Sequence, residues 1–172
     1  MGSSELLIKL FQNDRQRDLV PYLTRRLHEA YKPLADRGFR YSATHQPPET
    51  TKRRMESGET YLAYWDGQLA GLITLIPSSP DSRCEYYRRE GLYHFGQFAV
   101  WPEFQGKRIA SRLLLHMEER TKALGGRELA LDTAEGAVEL IAMYKRRGFK
   151  PVSTTQWDST NYISVVLAKE AK

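Results

Sequence analysis

A chain of 172 residues with 41% hydrophobic and 27% charged content can bury roughly 70% of the surface its unfolded form exposes, so one self-sufficient core is expected and extended disorder is not. The formal net charge of +5 suits nucleic acid, a membrane surface or a polyphosphate ligand without choosing among them. Cys84 is the only cysteine and the four histidines are scattered, which excludes an intrachain disulfide and argues against a dedicated metal centre.

Leu6, Ile8 and Leu10 alternate with Leu7, Lys9 and Phe11 and predict a first strand. The same end carries Glu5, Lys9, Asp14 and Arg15, so it lacks the apolar core of a signal peptide, and no run in the chain approaches the roughly 20 apolar residues of a membrane span. A cytoplasmic protein is expected. Asn13-Asp14 offer a helix cap, and Leu19, Leu23, Leu27 and Ala30 form the stripe of an amphipathic helix predicted to end before Pro33. Residues 31–48 read as irregular, with Gly38 and Pro47-Pro48 as breakers, and a shorter helix is predicted from Glu49 to Ser57. From Thr60 to Ile76, two apolar runs flank Asp66-Gly67, a strong hairpin signal, and the runs are apolar on both faces, as in a covered sheet. A polar, turn-rich stretch follows from Pro77 to Glu90.

The segment His94 to Arg112, HFGQFAVWPEFQGKRIASR, organises the rest. Phe95, Phe98, Val100 and Trp101 predict a strand, Pro102 stops it, and from Ile109 the apolar positions repeat at helical spacing. A helix that starts there aims unpaired N–H groups and its positive dipole end into the turn, where an anion is the natural occupant. Lys107, Arg108 and Arg112 add positive charge. The turn has neither the G-x-x-x-x-G-K-[ST] of a P-loop nor the G-x-G-x-x-G of a dinucleotide site. Ile109, Leu113, Leu114, Met117 and Leu124 predict a helix ending at Gly125-Gly126. Glu128 to Asp132 reads as a short strand, and Asp132 or Thr133 is expected to cap the next helix, with Glu135 at capping-box spacing. That helix carries Ala137, Leu140, Ile141 and Tyr144 on one face and stops at Gly148; strands are predicted at Phe149 to Thr155 and Tyr162 to Leu167. This is a mixed α/β order with no repeat and no linker, read as one domain over residues 1–172.

Gln105 and Ala110 fit the ends of Q/R-x-x-G-x-G/A, the coenzyme A turn of the GNAT N-acetyltransferase superfamily, which the chain resembles along nearly its whole length. Leu131-Asp132-Thr133-Ala134-Glu135 and Met143-Tyr144-Lys145-Arg146-Arg147-Gly148-Phe149 strengthen the likeness. The resemblance implies a three-layer α/β fold, with a central, mixed, mostly antiparallel twisted sheet of about seven strands flanked by about four helices. It implies acetyl-CoA as co-substrate, with no metal. The main chain of Phe98, Ala99 and Val100, on a bulged strand, would hold the pantetheine arm and the reacting oxygen, and Gln105, Gly106, Lys107, Arg108, Ala110 and Ser111 would surround the pyrophosphate. Tyr144 stands where the family has its proton donor. Arg108 stands where the family usually has glycine, so it either keeps helical dihedrals and points outward or adds a guanidinium to the phosphate site.

Acetyl transfer from a thioester to an amine needs a neutral amine and a proton for the departing thiolate, and a phenol near pKa 10 can supply that proton. Glu90, His94 and Gln97 lie on or near the central strand and Glu103 fits a surface turn, and none is assigned as base. Tyr31, Phe39, Tyr41, Tyr86, Tyr87 and Trp157 are candidates for lining the acceptor site. Cys84, in a loop with no evident base, is not expected to form a covalent intermediate. The expected activity is therefore N-acetyl transfer to a small-molecule or peptide primary amine by direct attack in a ternary complex, with neither nucleic acid nor membrane as partner. The sequence is compatible with a homodimer. A non-catalytic acyl-CoA-binding domain is the first alternative and a basic nucleic-acid-binding module the second.

Overall fold

Asp66 and Gly67 both take positive φ, 47° and 80°, the backbone a two-residue primed hairpin turn requires. In the computed structural model, which describes residues 2–172, that turn joins β2 (Glu59–Trp65) to β3 (Gln68–Pro77). All six residues of β3 from Ala70 to Leu75 are buried, so the sheet is covered on both faces there. The other strands are β1 (Leu6–Leu10), β4 (Leu92–Val100), β5 (Glu128–Ala134), β6 (Lys150–Thr155) and β7 (Ser164–Glu170), and the seven form one sheet in the order β1-β2-β3-β4-β5-β7-β6. Every pairing is antiparallel except β4 with β5, which is parallel.

A single helical turn, α1 (Asn13–Gln16), precedes four longer helices: α2 (Val20–Asp36), α3 (Pro48–Glu56), α4 (Ile109–Ala123) and α5 (Val138–Arg146). Leu23 and Leu27 of α2, and Leu113 and Met117 of α4, have no exposed surface. These positions bear out the centre of both predicted stripes, whereas Leu19 precedes α2 and Leu124 lies past the end of α4, 38% exposed. Three helix boundaries differ from the sequence expectation. Helix α2 runs through Pro33, because a proline in the last turn removes only one helical hydrogen bond. The helix then closes where Phe39 N–H donates to Leu34 O at 3.1 Å and Gly38 takes φ 90°. Asp132 and Thr133 cap nothing: both lie within β5, and α5 starts only at Val138, with no side-chain cap. Likewise Asn13 and Asp14 are the first residues of α1 rather than its cap.

The site is positioned by an irregularity in β4. Leu72 of β3 pairs with Ala99 and Thr74 with Gly96, so Gln97 and Phe98 together oppose Ile73, and Gln97 has φ 48°. This is a β-bulge. On its other edge β4 pairs with β5 only from Leu92 to His94, opposite Glu128 to Ala130, whereas β5 stays paired with β7 as far as Ala134. The sheet therefore splits between β4 and β5 from Phe95 onward. Close backbone approach fixes where β4 runs: a Cβ added at Gly71 of β3 would lie 2.4 Å from the Ala99 carbonyl oxygen. Gly71→Ala must push β4 away, so a loss of about 3 kcal/mol is expected. That corresponds to a fall in Tm of roughly 6–12 °C, and calorimetric melting measures it.

Candidate active site

The split opens into a cleft of about 480 Å³ between β4, β5 and the helices, a size that suits a small molecule. Tyr31 reaches from α2 and donates its hydroxyl to the carbonyl of Phe98 at 2.8 Å, which pins the outer half of the bulge. Its inner half is held by the buried Gln97 side chain, which accepts from Gln46 Nε2 at 2.6 Å. Of the three residues expected to bind through their main chain, Phe98 lines the cleft with its carbonyl already bonded to Tyr31, while Ala99 and Val100 lie outside the lining.

Beyond Val100 a short 3₁₀ turn, Pro102–Phe104, leads into the anion turn. Gly106 takes φ 80° and Arg108 φ 62°, ψ 19°, the left-handed conformation, before α4 begins at Ile109. None of the backbone N–H groups from Gly106 to Ser111 donates to a backbone carbonyl. Six consecutive free donors at a helix start make a concave array suited to phosphate oxygens. Ala110 is inside this array, and Gln105 is exposed at its entrance. Arg108 does not keep helical dihedrals: it adopts those glycine would supply, and its side chain is exposed. Lys107 folds back over Trp65, with Nζ 5.5 Å from the ring centre. The Ser111 hydroxyl accepts from Arg147 Nη2 at 2.7 Å, so a cation at the end of α5 stands beside the first turn of α4.

Tyr144 reaches the same cleft from α5, packed against Phe95 and Phe149 at ring distances of 6.1 and 5.9 Å. Burial pushes its phenol far above the usual tyrosine range, so the group stays protonated at any working pH. Among the base candidates, His94 and Gln97 line the cleft, whereas Glu90 is exposed and Glu103 ion-pairs with Arg26. His94 stacks on Tyr87 at 3.9 Å, and burial, then the charge of Arg54, push its pKa down to about 4. Tyr31, Tyr41, Tyr87 and Trp157 line the cleft as expected, but Phe39 and Tyr86 do not. Phe39 packs under Tyr41 and Tyr162, and Tyr86 donates to Glu128 at 2.6 Å. Cys84 is fully buried in a separate cluster with Tyr87 and Val166, its thiol pushed up by burial.

The sequence matches the acetyltransferase (GNAT) family over residues 23–149. The chain belongs to this family. It is an acetyltransferase. The S-(2-succino)cysteine N-acetyltransferase of Bacillus subtilis (strain 168) is 28% identical over 149 residues, which cover 83% of this chain and 85% of the relative. A solved structure from Pyrococcus horikoshii OT3 aligns with a TM-score of 0.73 at 20% identity, over 96% of this chain and 98% of the other. A GNAT family acetyltransferase from Elizabethkingia anophelis, solved with acetyl-CoA bound, aligns with a TM-score of 0.66 at 17% identity, over 96% and 97% of the two chains. The mixed seven-stranded sheet with its four long helices is thus the GNAT fold expected from the sequence.

Sequence reasoning missed three residues of this region. Asp132, read as a cap, accepts from Tyr87 Oη at 2.7 Å and from Trp157 Nε1 at 2.8 Å; the signal was an acid directly after the apolar run Leu129-Ala130-Leu131. Arg147, part of the Met143 to Phe149 motif and given no role of its own, reaches Ser111. Arg54, hidden in the charged run of α3, lines the cleft.

Two outcomes follow from this geometry. Because a left-handed backbone costs a side-chain-bearing residue about 1 kcal/mol or more, Arg108→Gly is expected to raise Tm by roughly 2–4 °C, read by melting. His94 takes up its proton near pH 6.5 in the unfolded chain and near 4 in the folded one. Its contribution is therefore complete above pH 6.5 and is lost as pH falls toward 4. His94→Gln should flatten the decline of stability across that window, measured by urea unfolding at several pH values.

Proposed function

We propose that this acetyltransferase uses acetyl-CoA to acetylate a primary amine by direct attack within a ternary complex. The observation that carries the reading is the convergence on one split sheet of a free N–H array from Gly106 to Ser111 and the Tyr144 hydroxyl. The array and the unpaired edge of β4 fit a long ligand with phosphates at one end and an amide-containing arm along the strand. Gln105, Gly106, Lys107, Arg108, Ala110 and Ser111 would surround the pyrophosphate, with Arg147 beside Ser111. Phe98, Ala99 and Val100 would present main-chain groups to the arm and to the reacting oxygen. The Elizabethkingia neighbour, solved with acetyl-CoA, supports this choice of co-substrate.

Acetyl-CoA, when bound, supplies the acetyl group as a thioester. Tyr144, protonated in the cleft, would pass its proton to the sulfur as the C–S bond breaks and be reprotonated by the proton that the attacking nitrogen loses on becoming an amide. The depressed pKa of His94 makes it a weak base, so the ammonium would release its proton to solvent before attack. Direct transfer also fits the isolation of Cys84, buried away from the cleft and provided with no base. The Bacillus relative is named for an S-substituted cysteine, which makes amino acids of that kind the first acceptors to test.

A thiol-release screen of the purified protein with acetyl-CoA and a panel of amines tests the activity. Tyr144→Phe is expected to lower kcat about 10²-fold while leaving the calorimetric Kd for coenzyme A unchanged. Unaltered turnover at saturating substrate would remove Tyr144 from the mechanism.

A further inference from the structure

Arg54 stands on α3 with its guanidinium on the cleft wall, beside Gly96 of β4. Nη1 donates to Gln46 Oε1 at 2.7 Å, and Gln46 Nε2 donates in turn to Thr51 Oγ1 at 2.8 Å and to Gln97 Oε1 at 2.6 Å. Gln46 and Gln97 are each 2% exposed, so a buried chain of amides sets the direction of the guanidinium. That chain is neutral. An amide oxygen accepts a hydrogen bond without cancelling the charge it faces. Among the described residues no carboxylate forms an ion pair with Arg54. Asp132 is the one acid on the cleft wall, and both its oxygens are bonded, to Tyr87 and Trp157.

Arg53 also lines the cleft, so two guanidinium groups face one carboxylate and the acceptor end of the site is net positive. The field is felt across the cleft, since the charge of Arg54 adds to the burial that depresses His94. The cofactor turn is not the natural user of this charge. Gly96 precedes Val100 by four residues, about 13 Å along a strand, and the N–H array begins only after that. A half-buried, oriented guanidinium that forms no ion pair is a site for an anion, and its planar fork matches a carboxylate in two-point contact.

We infer that Arg54 anchors a carboxylate of the acceptor, which assigns the substrate class as α-amino acids and related small amino-carboxylates rather than simple alkyl amines. This rests on the acetyl-transfer reading of the same cleft. The cleft volume of about 480 Å³ suits an acceptor of that size, and the aromatic rings of Tyr41, Trp157 and Tyr162 would face its side chain.

The test uses the full-length protein with acetyl-CoA and matched acceptors that differ only at the carboxyl group: glutamate, methionine and S-carboxymethylcysteine against their α-carboxamides, with O-phosphoethanolamine as a further arm. The acids are expected to show kcat/KM at least tenfold above the carboxamides, carried by KM and shrinking with added salt. In Arg54→Gln that ratio should collapse to less than threefold, and Arg54→Lys, which keeps the charge, should restore part of it. Equal use of acids and carboxamides by the wild type, an undiminished ratio in Arg54→Gln, or a preference for O-phosphoethanolamine would each overturn the assignment while leaving acetyl transfer standing. Calorimetric titration of S-carboxymethylcysteine into the protein with coenzyme A separates the other case. Binding that needs Arg54, without thiol release from any amine, would sink the acetyl-transfer reading and uphold the carboxylate anchor.

Discussion

Gln97 adopts a left-handed backbone in the middle of a strand, with φ 48°, and lines the cleft at that point. For a residue other than glycine this conformation costs about 1–2 kcal/mol. The side chain supplies the compensation, accepting from Gln46 at 2.6 Å and donating to the Thr51 carbonyl at 3.4 Å inside the core. Thr51 is in turn bonded to Thr24 of α2 at 2.7 Å, and Tyr31 of α2 holds the neighbouring carbonyl. Two helices thus grip the bulge through polar groups that would be costly to bury unpaired. On the other edge of β4 the pairing with β5 ends at His94 and Ala130, three residues before Gln97.

The same polar cluster has a second consequence. Because Gln46 uses Nε2 to hold the bulge, only its Oε1 is left to face outward, and that oxygen receives Arg54. The strand distortion and the orientation of the cleft cation are therefore one structure seen from two sides. A change that relaxed the bulge would also release the guanidinium, and positive charge at the acceptor end is coupled to the shape of the edge along which a thioester arm would lie.

What was legible in the sequence was local. The Asp66-Gly67 turn, the stripes on α2 and α4 and the anion turn before Ile109 all follow from neighbours within a few residues. The GNAT order along the chain then gave the sheet and its helices. The polar wall of the cleft did not follow, because its bonds join residues far apart: Arg54 lies in a short helix whose charge run reads as a solvated face, and its partners come from elsewhere in the chain. Asp132 failed for the opposite reason. An acid just ahead of a predicted helix is what a cap looks like, and only the extension of β5 to Ala134 shows that it faces Tyr87 and Trp157 instead. At Pro33 the local rule was applied too strictly, since a helix near its end loses little by one missing donor.

Two strained residues bracket the segment that would meet the cofactor, Gln97 at φ 48° and Arg108 at φ 62°, and their contrast separates fold from function. Strain at Gln97 is repaid by buried side-chain bonds, so it belongs to the architecture and defines the cleft before any ligand arrives. The Arg108 side chain is exposed and forms no ion pair among the described residues. What its backbone achieves is to turn the chain into α4 while Gly106 to Ser111 keep their N–H groups free and convergent. Strain held by the protein's own contacts shapes a scaffold, whereas the strain at Arg108 meets no such contact and leaves the N–H groups from Gly106 to Ser111 free. Glycine would give the same turn with less strain, so the departure at Arg108 changes stability more directly than it changes the geometry of the donors.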